Sequence, residues 1–167
     1  MVLVLTLLTL GADGGVPPVT AKNWETHPRV VPARQAVTEV LALSQDGGVT
    51  VRELADCTSE FSSFTTWTDA QGVVRKLVRS FGSEDSSHTV EAWYDARGRQ
   101  RFVFAKVGAV PSAWVEARWW LDEQGAVVWH TRRAGGEGPT YYAQELREYL
   151  VKDPSRWVAE RTRCDGG

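Results

Sequence analysis

Histidine occurs three times, cysteine twice and methionine once in 167 residues, and neither sign of charge dominates, with nineteen Lys and Arg against twenty-one Asp and Glu. His27, His88 and His130 form no His-x-His or His-Glu-x-x-His pair, so no metal site is expected. A formal charge of -2 supplies no field that would draw the chain to nucleic acid or to an anionic membrane. There is no Gly-x-Ser-x-Gly elbow, phosphate loop or dinucleotide fingerprint, and no cofactor is implied. The acidic loop at 83–87 lacks the alternating carboxylates of a calcium site and is expected to be a solvated tip.

Long apolar runs are also scarce. The strongest, Met1 to Leu10, is about half of the ~20 residues that a membrane-spanning helix requires, so no span is expected. Its length suits the apolar core of a signal peptide, and Gly11, Ala12, Gly14 and Gly15 follow where a peptidase would cut. Residues 1–15 are therefore expected to be a signal peptide or its remnant, with a start upstream of Met1, and the chain to be exported to a periplasmic or extracellular space. In such an oxidising compartment two cysteines are expected to pair, as Cys57 with Cys164.

What the chain has in abundance is tryptophan, eight residues, and glycine, fifteen, a composition of aromatic strands broken by turns. The pattern Trp-x-Asp-x-x-Gly occurs at Trp67-Thr-Asp69-Ala-Gln-Gly72, Trp93-Tyr-Asp95-Ala-Arg-Gly98 and Trp120-Leu-Asp122-Glu-Gln-Gly125. Its aspartates lie 26 and 27 residues apart (95 − 69 and 122 − 95), so one supersecondary unit is repeated. Asp at the first position of a type I turn and Gly at the left-handed position specify a hairpin. Strand-like flanks predict hairpins at 61–81, 88–107 and 113–133, with a further strand at 49–54. Tyr94-Asp95-Ala96-Arg97-Gly98-Arg99 resembles the Tyr-Asp-x-x-Gly-Arg unit of the YD-repeat proteins, whose hairpins stack into long shells. The resemblance covers about six residues per copy and implies a hairpin at each.

Residues 16–32 hold Pro17, Pro18, Pro28 and Pro32 and are expected to be an extended linker before a single domain over 33–167. Ala33, Val37, Val40, Leu41 and Ser44 have helical spacing and end at Gly47-Gly48. Tyr142, Leu146, Tyr149 and Leu150 predict a second helix, and Asp153-Pro154 begins a third carrying Trp157 and Val158. The fold expected is α+β: an antiparallel meander of six or seven strands, with one N-terminal and two C-terminal helices packed on one face.

Alternation along the strands, with the turns as register mark, sorts side chains into two faces. The expected core face carries Phe64, Val74, Val78, Val90, Ala92, Tyr94, Phe102, Phe104, Val115, Ala117, Trp119, Leu121, Val127 and Trp129. The opposite face carries Trp67 facing Arg75, Glu91, Trp93 facing Arg101, Glu116 facing Arg132, Arg118, Trp120 and His130. Three Trp residues rimmed by Arg and Glu have the composition of a protein-interaction surface, so a protein partner is expected. A carbohydrate stacking on the same Trp residues is the alternative. A hydrolase without a signature is a second, with Glu91, Glu116 and His130 as its acids and bases. The same placement also serves a ladder that stiffens the sheet and binds nothing.

Overall fold

Each Trp-x-Asp-x-x-Gly copy closes a turn in the same way. In the computed structural model, which describes residues 16–138 and 146–164, one carboxylate oxygen of Asp69 accepts the Gln71 and Val73 amides. Asp95 accepts those of Arg97 and Arg99, and Asp122 those of Gln124 and Ala126. Gly72, Gly98 and Gly125 follow with φ of +81°, +74° and +82°, a region that only glycine enters without strain. These turns join β2 (Ser62–Asp69) to β3 (Val74–Gly82), β4 (Ser86–Tyr94) to β5 (Gln100–Ala109), and β6 (Ala113–Leu121) to β7 (Val127–Gly135). With β1 (Val49–Ala55) on the edge beside β2, all seven strands form one antiparallel sheet in sequence order.

Every repeat contains a β-bulge just after its turn. Trp67 pairs with Lys76 but Thr68 with Val74; Trp93 pairs with Phe102 but Tyr94 with Gln100; Trp120 pairs with Trp129 but Leu121 with Val127. The extra residues are Arg75, Arg101 and Val128. A one-residue slip turns every later side chain to the other face. Val78, Phe102, Phe104 and Trp129, expected in the core, therefore share a face with Trp67, Trp93 and Trp120, whereas His130 and Arg132 lie opposite Trp119 and Ala117 on the other.

The helices also depart from expectation, since they cover both faces. Helix α1 (Val31–Gln45) carries Pro32 in its first turn and stops before Gly47, φ +71°. It buries Ala33, Ala36 and Val40, while Leu41 is half exposed, so its stripe is rotated from the expected one. Val30 and Ala33 pack on Trp120 and Val128, with Val19, Trp24, Phe102 and Trp129 beside them. The segment before α1 is a series of turns pinned to the molecule: the buried His27 bonds the Pro17 carbonyl at 2.7 Å.

On the other face a short 3-10 helix (Leu146–Tyr149) and helix α2 (Pro154–Arg161) close the main core. Tyr149 and Leu150 pack on Val103, Ala105, Val115, Ala117 and Leu121, and Trp157 and Val158 on Phe64, Leu77 and Tyr94. The predicted second helix is thus a 3-10 turn within the described residues. Its expected first part, 139–145, lies outside them, as does the expected signal segment at 1–15. Asp153 caps α2 by accepting the Arg156 amide at 3.0 Å, and the Cys57–Cys164 disulfide ties the end of α2 to the end of β1. No helix among the described residues is long and apolar enough to cross a membrane.

Candidate functional site

The bulges decide what the candidate residues can do. Arg75 and Arg101, at 4% and 3% exposure, are not surface cations. Each returns to its own turn aspartate at 3.3 Å, Asp69 and Asp95 respectively. Each Nε also reaches the backbone carbonyl that precedes the next turn aspartate, Tyr94 at 3.3 Å and Leu121 at 3.2 Å. The two arginines therefore stitch successive hairpins together. The third copy has Val128 instead, because no hairpin follows β7, and its side chain packs under α1. Arg75 also reaches Glu39 of α1 at 3.2 Å. The recurrence of Arg six residues after Asp in the first two copies, and its loss in the third, was the available sign of this role.

Because Arg75 is displaced, Lys76 takes the place opposite Trp67. Its ammonium lies 5.0 Å from the Trp67 ring centre and 4.2 Å from that of Trp93, and 2.9 Å from Glu91. The Trp93 indole N–H donates to the same Glu91 at 3.2 Å. Trp93 faces Phe102 rather than Arg101, and Trp120 faces Phe102 and Trp129. One row of the sheet thus reads Trp67, Lys76, Trp93, Phe102, Trp120 and Trp129 from β2 to β7. Helix α1 crosses β4, β5 and β6, and the segment before it covers the β6–β7 end, where Trp24 meets Trp120 at 4.8 Å. Trp93 and Trp120 keep only 5% and 7% of their surface, while Trp67 remains half buried.

The next row away from the turns is Thr65, Val78, Glu91, Phe104, Arg118 and Thr131. All six are partly open. Arg118 lies 4.6 Å over Phe104 and 3.3 Å from Glu116, which faces Arg133 and not Arg132. Of the ten residues expected on one binding face, Trp67, Glu91, Glu116 and Arg118 share the open surface. Trp93 and Trp120 lie beneath it, Arg75 and Arg101 are structural, and His130 and Arg132 are on the reverse side. Sequence reasoning missed Lys76, Val78 and Phe104.

Among the described residues no group of three His, Cys, Asp or Glu side chains could hold a metal ion. The chain is thus an open seven-stranded α+β meander, closed over its central strands on one face and half covered on its aromatic face. No family model matches it, and no curated protein or solved structure is detectably similar to it.

Proposed function

We propose that the protein is an exported, non-catalytic binding protein that engages a protein partner through the open half of the α1 face, in an inhibitory, immunity or envelope-assembly role. The observation that supports this is the patch of partly open Val78, Phe104 and Trp67, from two adjacent rows, set among charges already paired with one another, Lys76 with Glu91 and Arg118 with Glu116. Apolar and aromatic side chains rimmed by polar ones form the core of protein interfaces. Side chains held in place beforehand lose less entropy on association. The disulfide and the absence of a membrane-crossing helix among the described residues are compatible with export.

The alternatives lose their chemistry in this arrangement. A three-Trp platform for sugar rings would need exposed ring faces, but Trp93 and Trp120 are buried and Lys76 occupies the Trp67 and Trp93 rings. Hydrolysis by Glu91, Glu116 and His130 would need them together, and the sheet separates His130 from both carboxylates. A photo-crosslinking residue at Phe104, in the full chain produced in its own cells, tests the binding face. The expected result is one defined adduct that disappears with Arg118→Glu and is not formed from a probe at Arg52, on the reverse side of β1. The same set of adducts from both positions overturns the proposal.

A further inference from the structure

A cavity of about 330 Å³ lies on the reverse side of the sheet, between the start of β2, strand β3 and helix α2. Trp157 forms one wall, its ring edge-on to Phe64 at 5.1 Å. The guanidinium groups of Arg79 and Arg161 both lie against that ring, 5.4 Å and 4.2 Å from its centre. Two cations therefore converge on one indole, but they are unequally provided for.

Arg161 Nε lies 3.6 Å from Asp56. That carboxylate also accepts the Thr58 amide and hydroxyl and the Ser62 hydroxyl. Burial pushes the Asp56 carboxyl up, but these bonds and the Arg161 charge outweigh it and hold it below its ordinary value. Arg79 has no carboxylate at ion-pair distance among the described residues. Its hydrogen bond there is a long one, 3.4 Å to the Glu148 carbonyl, and its buried Nε has no partner among them. Burial, reinforced by Arg161, holds this guanidinium below its ordinary range. A half-buried cation short of acceptors is stabilised by an anion or water that completes it.

We propose that this cavity binds a singly charged carboxylate, received by Arg79. Charge sets the class: Arg161 is matched by Asp56 and Arg79 has no carboxylate at ion-pair distance among the described residues, so one anionic group is called for there, while Glu148 on the cavity wall leaves no excess positive charge for a dianion such as phosphate. A carboxylate in the cavity is met by the terminal nitrogens of the guanidinium, since the Nε is enclosed. The wall of Trp157 and Phe81 accepts the small apolar body that such an anion carries. The ligand is a free organic acid or the C-terminal end of a peptide, which share this chemistry. The site is on the opposite side from the aromatic row and does not depend on it.

The test uses nitrogen-15-labelled full chain at constant ionic strength, following the Arg79 Nε–Hε and Trp157 indole resonances. Sodium acetate, N-acetyl-glycylglycine, its C-terminal amide, sodium phosphate and sodium chloride are the probes. Expected is saturable movement of both resonances with the carboxylates, at concentrations about tenfold below any effect of chloride or phosphate, and none with the amide. Tighter binding of acetate assigns the free acid, and tighter binding of the peptide assigns the chain end. Arg79→Gln should abolish the Trp157 response, and Arg79→Lys, which keeps the charge and safeguards the fold, should weaken it about tenfold. Equal responses to acetate and chloride, phosphate saturating first, or an undiminished Trp157 response in the folded Arg79→Lys chain would each overturn the proposal.

Discussion

The two faces of this sheet come from the same strands and meet opposite ends. On one, Leu77, Ala92, Tyr94, Val103, Ala105, Val115, Ala117 and Leu121 lie flush beneath the 3-10 turn and α2, and even the Tyr94 hydroxyl is bonded, 3.0 Å to the Val151 carbonyl. On the other, Trp67, Lys76, Trp93 and Phe102 support one another sideways, and α1 covers only part of them. An aliphatic face must be sealed to be stable, because its only gain is removal from water. A face of rings, cations and carboxylates satisfies itself laterally and can remain half open. That difference leaves the second face with partly open aromatic and aliphatic side chains where the first is closed beneath the 3-10 turn and α2.

Substitutions should sort along the same line. Reducing the Cys57–Cys164 bridge, which closes a separation of 107 residues, should have the largest effect. Chain-entropy reasoning puts the loss at about 4–5 kcal/mol, read as a lower urea midpoint in the reduced protein. Loss below about 1 kcal/mol would mean that α2 seals its face without help from the bridge. Leu77→Ala, fully buried on the sealed face, should cost about 3 kcal/mol, against about 1 kcal/mol for Phe104→Ala on the half-open one. Equal costs in chemical denaturation would erase the distinction between the faces.

The bulge arginines sharpen the comparison within the repeat. Arg101→Ala removes the bond to the Leu121 carbonyl and one of the two arginine partners of Asp95, and should cost about 2–3 kcal/mol in the same assay, while Val128→Ala in the third copy leaves no polar group stranded and should cost about 1 kcal/mol. A smaller effect is expected from Asp95→Asn. Burial raises the Asp95 carboxyl, but the Arg99 and Arg97 amides and the Arg99 side chain prevail and hold it below its ordinary value. A carboxyl whose folded value is depressed adds stability above about pH 4 and loses it as pH falls through the folded value. The gap between wild type and Asp95→Asn should thus be full at neutral pH and close in acid; a gap independent of pH would contradict the assignment. Arg118→Ala, partly exposed, should change stability by less than about 0.5 kcal/mol while removing the Phe104 crosslink.

Much of the architecture was legible because it rests on local rules. Asp69, Asp95 and Asp122 with their glycines specify turns whatever surrounds them, and Asp153-Pro154 and Gly47 mark helix ends by backbone chemistry alone. The pairing of Cys57 with Cys164 followed from their number. The faces were misassigned for a reason equally local in origin: alternation was carried through Arg75, Arg101 and Val128 without the bulges, so His130 and Arg132 were assigned to the Trp surface and Phe102, Phe104 and Trp129 to the core. The cavity at Arg79 had no sequence sign, since Asp56, Arg79, Trp157 and Arg161 belong to three distant segments.

By itself, then, the sequence determined the repeat, its turns, the six strands of the three hairpins and their antiparallel order, because these depend on residues a few positions apart. Only the tertiary structure decided that the helices lie on both faces, that two of the arginines are internal stitches while a third is left short of acceptors, and which aromatic rings stay open. Those outcomes depend on which distant segment lands on which side of the sheet, and a single inserted residue in each hairpin is enough to reverse it.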